Sequence, residues 1–107
     1  MADMVPKRTY VVTVNLLDPT LDLGALHEFI KTTPIFENWW NHIPGVFLVI
    51  SDRDPAAISK ALKPYTHNAR LLVMEVNPAE SDGWLPEVSW KWIRRRSAEP
   101  AEASAGA

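Results

Sequence analysis

The chain has 107 residues, of which 47% are hydrophobic and none is cysteine. That length suits one domain and is too short for two ordinary ones, and the composition is that of a globular chain. The missing cysteines exclude disulfides and thiolate metal sites. Lys and Arg number 11 against 13 Asp and Glu, and Glu99 and Glu102 lie in the last eleven residues, so the body is neutral and carries no global field for nucleic acid.

Residues 1–8 read as an N-terminal lead, 9–96 as the domain and 97–107 as a small, polar, disordered tail. Met1-Ala2-Asp3-Met4 lacks the basic and apolar regions of a signal peptide. The longest unbroken apolar run, Val46–Ile50, is far short of a membrane span. The expectation is a cytoplasmic protein with no membrane contact.

Tyr10–Leu17 is rich in β-branched residues and predicts a first strand. Its apolar side chains fall at both parities, as in a strand inside a sheet. Asp18-Pro19-Thr20 breaks it. Asp22–Thr32 predicts a helix, capped by Asp22 or, if it begins earlier, by Thr20, with Leu23, Leu26 and Ile30 as its apolar stripe and Pro34 as its stop. Glu37–His42 is polar except for Trp39 and Trp40, which predicts an edge strand. Ile43-Pro44-Gly45 is a turn signal. Val46–Ser51 predicts an interior strand. Asp54-Pro55 is an N-cap followed by proline at the first helical position, and the helix is expected to run to about Lys63 and stop at Pro64. Arg70–Val76 predicts a fourth strand, and Leu85-Pro86-Glu87 opens a third helix ending near Arg96.

The order is β-α-β-β-α-β plus an added C-terminal helix. Two interior strands and a polar second strand fit an α+β, ferredoxin-like fold with an antiparallel four-stranded sheet, strands one and three central.

Few residues suggest chemistry. Asp18, with Asn15 at the end of the first strand, is a candidate catalytic and metal-binding position; one carboxylate alone makes a weak magnesium site, which a homodimer could double. The alternative is that Asp18 belongs to the Asp-Pro turn. His27, His42 and His67 fall in different elements without ligand spacing. Lys91, Arg94, Arg95 and Arg96 form a basic cluster that either holds phosphate or is a solvated helix end suited to the dipole. Among five tryptophans, Trp39 and Trp40 are adjacent and point to opposite faces of a strand, and Trp90 and Trp92 lie two apart on a helix. These four are candidate interface residues, since tryptophan favours subunit contacts; base stacking is the rival use. Only four glycines occur, and no phosphate-cradling loop, nucleophile elbow or zinc-protease helix is present.

Several stretches carry a likeness to a known family. The strand Tyr10–Leu17 with Asn15, the pair Trp39-Trp40 before a hairpin, Leu71–Val76, then Gly83-Trp84-Leu85-Pro86 and Trp90-Lys91-Trp92-Ile93 resemble small bacterial SinR-like proteins. These in turn resemble the small CRISPR-associated adaptor and endoribonuclease and the virulence-associated protein D ribonucleases. The likeness covers roughly Thr9 to Arg96. It implies a ferredoxin-like fold and homodimers. In the nuclease members it implies an aspartate at the end of strand one, repeated across the dimer, for divalent-metal-dependent cleavage. The matching position here is Asn15, a neutral amide that cannot act as a base, with Asp18 three residues later. The sequence therefore suggests a non-catalytic homodimeric interaction or regulatory domain. The alternatives are a divalent-metal-dependent ribonuclease or deoxyribonuclease, with magnesium as its only cofactor, and nucleic-acid binding without cleavage.

Overall fold

The computed structural model describes residues 6–95. Arg96 and the expected tail, 97–107, lie outside them. The elements are β1 (Arg8–Val14), α1 (Leu23–Thr32), β2 (Asn38–Ile43), β3 (Val46–Ser51), α2 (Pro55–Thr66) and β4 (Leu71–Glu75), followed by a helix, α3, over 87–95. The four strands form one sheet in the order β2-β3-β1-β4, with every pairing antiparallel. This is the α+β, ferredoxin-like arrangement the sequence predicts, with β1 and β3 central.

Alternation along the strands sorts the side chains onto two faces. On the near face, Tyr10, Val12 and Val14 of β1 join Phe47 and Val49 of β3, beneath Leu26 and Ile30 of α1 and Ile58 and Leu62 of α2. Burying each such aliphatic side chain contributes about 1.5–3 kcal/mol, so this face supplies most of the core. The Tyr10 hydroxyl donates to the Arg53 carbonyl at 2.8 Å, which satisfies its buried polar end. Both helices on this face start at the aspartates expected: Asp22 accepts from the Ala25 N–H at 3.1 Å and Asp54 from the Ala57 N–H at 2.8 Å.

Most boundaries shift by a residue or two, and two differ from expectation by three. β1 stops at Val14, not Leu17. The Asn15 side chain accepts from the Leu17 N–H at 3.0 Å, and the Asp18 carboxylate accepts from the Thr20 N–H at 2.8 Å. These local bonds offer the backbone an alternative to the ladder and fold 15–20 into turns. Leu17 is left exposed.

α2 continues through Pro64 to Thr66. Proline in the last turn costs a helical hydrogen bond, but the residues beyond it are held by packing. Tyr65 stacks on Phe29 with centroids 4.8 Å apart, and Thr66 is buried. The helix ends at His67, whose φ of 52° is left-handed and whose N–H returns to the Lys63 carbonyl.

The β2–β3 hairpin turns at Pro44-Gly45, where Gly45 has φ +76° and a Cβ would lie 2.9 Å from the Val14 carbonyl oxygen. Only glycine fits both constraints. The Val14 N–H donates to the Gly45 carbonyl at 3.0 Å, so the turn is also bonded to the end of β1.

Candidate functional site

The far face of the sheet is covered unevenly. Trp40 of β2 and Ile50 of β3 lie on it and are buried, as are Ser89 and Ile93 of α3. The His42 Nδ1 is hydrogen-bonded to the Ser89 hydroxyl. The Trp92 indole N–H donates to the Asn38 side-chain oxygen at 3.3 Å. α3 thus lies across the β2–β3 half of this face. The other half, on β1 and β4, carries Val11, Thr13, Leu72 and Met74, with Leu72 and Met74 each 49% exposed. Near it, Thr13, Asn15, Arg70 and Leu72 help to line an open cavity of about 340 Å³. The Arg70 guanidinium has no ion-pair partner among the described residues.

The tryptophans divide accordingly. Trp39 packs at the margin of the near-face core, with the Lys31 ammonium 5.8 Å from its ring centroid. Trp40 faces the other way, as adjacent strand residues must, and is already covered by the chain's own α3. Its indole N–H is buried without a partner among the described residues. Trp90 and Trp92 are half-buried. Trp84, in the segment before α3, is fully exposed.

The catalytic candidates do not converge. Asp18 Oδ1 accepts from both the Thr20 N–H and the Thr20 hydroxyl, the latter at 2.6 Å. The same hydroxyl oxygen accepts from the Asn68 N–H at 3.1 Å, which ties this turn to the loop after α2. The Thr20 hydroxyl, then its N–H, hold the Asp18 carboxyl below its usual range. The Asn15 oxygen is taken by Leu17. A divalent ion here would meet one carboxylate already bonded within its turn and a neutral amide turned to its own backbone, a poor donor set for magnesium. Among the described residues, no group of three or more His, Cys, Asp and Glu side chains could hold a metal ion.

The histidines are also apart. His27 sits edge-on to Phe47, centroids 5.0 Å apart, on the near face, whereas His42 joins Ser89 on the far face. His67 caps α2. His27 and His42 both line an open cavity of about 280 Å³ beside Pro44-Gly45, reaching it from opposite sides of the sheet. The His42–Ser89 pair joins positions 47 apart, and no local pattern announces it.

The basic residues are partly neutralised. Arg94 pairs with Glu87 at 2.6 Å, Arg8 with Glu75 at 3.2 Å and Lys7 with Glu37 at 2.7 Å. The Glu37 carboxylate raises the Lys7 pKa through its hydrogen bond and charge. Lys91 and Arg95 are exposed on α3. Among the described residues, no helix is long and apolar enough to cross a membrane. Compared with family models, with curated proteins and with solved structures, the chain matches none.

Proposed function

We propose that this protein is a non-catalytic homodimeric interaction or regulatory domain that works through the uncovered half of its sheet. The observation that carries this reading is the contrast between the two halves of the far face. One half is sealed by α3, and the other leaves Val11, Leu72 and Met74 without a covering element among the described residues. Partly exposed apolar side chains grouped on one face of a sheet suit a protein partner. The resemblance to SinR-like proteins points the same way, since it implies homodimers.

Nucleic acid is a poorer match to this surface. Sheets that bind RNA on an open face stack bases on aromatic rings of the central strands. The corresponding side chains here are Val11, Thr13 and Leu48, and Arg94, Arg8 and Lys7 are in ion pairs. A nuclease would have to draw on Asp18, whose carboxylate is occupied in its turn.

The test is sedimentation velocity across the micromolar range. A dimer is expected, and monomer throughout that range would overturn the reading. Incubation with magnesium and single- and double-stranded RNA and DNA is expected to leave the substrates intact. Cleavage abolished in Asp18→Ala would replace this reading with the nuclease one.

A further inference from the structure

The two edges of the sheet are built differently. β2 is polar, has a register shift between Trp40 and Ile43, and spends the Asn41 side-chain amide on the Ile43 and Val46 carbonyls. Bulges and polar side chains of this kind blunt an edge against pairing. β4 has neither. Its five residues, Leu71 to Glu75, pair with β1 without a register shift and contain no proline or lysine.

The hydrogen bonds fix which way the β4 backbone faces. The Asn15 N–H donates to the Arg70 carbonyl at 3.1 Å, and the Val76 N–H donates to the Thr9 carbonyl at 2.9 Å. Main-chain groups of an antiparallel pair alternate in direction. Arg70, Leu72, Met74 and Val76 therefore turn theirs toward β1. Leu71, Val73 and Glu75 turn theirs outward, where no described residue bonds them.

We propose that β4 pairs antiparallel with β4 of a second copy about a two-fold axis at Val73. This rests on the dimer reading above and names its surface. The outward residues are spaced evenly about Val73, so a two-fold there sets Val73 against Val73 and Leu71 against Glu75. Every outward N–H then meets an outward carbonyl. On the far face, Leu72 of one copy lies opposite Met74 of the other, so the two half-exposed side chains cover each other. The product is an eight-stranded antiparallel sheet with one continuous apolar strip.

The absence of native cysteine makes the register testable. In this register the two Val73 Cα atoms lie about 5.5 Å apart, within disulfide range, whereas the two Glu75 positions lie several residues apart. On mild oxidation, Val73→Cys is expected to form a covalent dimer at least tenfold faster than Glu75→Cys or the central-strand control Leu48→Cys. Val73→Pro deletes one outward N–H and leaves the β1 ladder intact; it is expected to weaken dimerisation at least tenfold, with circular dichroism confirming the fold. Should that variant misfold, the crosslinking ratio decides alone. A wild-type dimer with no crosslinking preference for position 73 overturns this edge and leaves the dimer reading standing. A wild-type monomer removes both.

Discussion

Replacing Gly45 with alanine tests the hairpin on which the sheet is built. The residue has φ +76°, and a Cβ there would lie 2.9 Å from the Val14 carbonyl oxygen and 3.1 Å from the Leu16 Cγ. A left-handed conformation costs an L-residue about 1–2 kcal/mol. Overpacking against a fixed backbone atom adds about 1–3 kcal/mol. The sum, roughly 2–5 kcal/mol, is a large share of the total stability of a small domain. At about 4–8 °C per kcal/mol, the midpoint of thermal unfolding should fall by roughly 10 °C or more. Gly24→Ala is the control. Its Cβ would meet only the Asp22 carboxylate oxygen, at 3.9 Å, and alanine in a helix is about 0.5–1 kcal/mol better than glycine. Urea unfolding of both variants should therefore move in opposite directions. A Gly45→Ala midpoint within error of the wild type would refute the argument for strain at the turn.

Two further predictions concern the far face and the first loop. Ile93→Ala removes a buried α3 side chain and should cost about 2–4 kcal/mol; loosening α3 should also wet Trp40 and shift tryptophan emission to the red, and unchanged stability with unchanged emission would contradict the placement of that helix. The Asp18 pKa is lowered on folding, so its contribution is complete above the pKa of the unfolded chain and is lost as pH falls through the lower folded value. Asp18→Asn should accordingly flatten the acid limb of the stability profile, and a carboxylate titrating at its ordinary value in an NMR titration would remove the basis for this.

Much of the fold was legible because local chemistry and global pattern agree. Asp54-Pro55 marked the start of α2, Pro44-Gly45 marked the hairpin, and the polarity of Glu37–His42 marked an edge. Adjacent tryptophans had to part, and Trp39 and Trp40 do. The end of β1 misleads because Leu16 and Leu17 continue its apolar pattern, while the side chains of Asn15 and Asp18 bond the backbone out of it. Pro64 misleads because Tyr65 and Thr66 gain enough from packing to carry the helix past it. The candidate site was harder. Which half of the far face α3 covers depends on contacts such as His42–Ser89 between distant positions, and no window of sequence holds both partners. The outward N–H groups of β4 follow from register, which hydrophobicity alone does not give.

The central position of β1 has a consequence for how the molecule is made. β1 leaves the ribosome before the other described strands, and both its neighbours come later; Arg8 reaches Glu75 across 67 positions. Only the β2–β3 pair is closed by a short turn. The first strand must therefore wait, unpaired, until the β2–β3 hairpin has been made, and its other side stays open until β4 follows, since closing such long loops costs chain entropy before the ladder returns it. Folding should be set by the hairpin finding β1 and slowed by the search, and during that interval Tyr10–Val14 is the exposed apolar segment that a nascent chain has to keep from other partners.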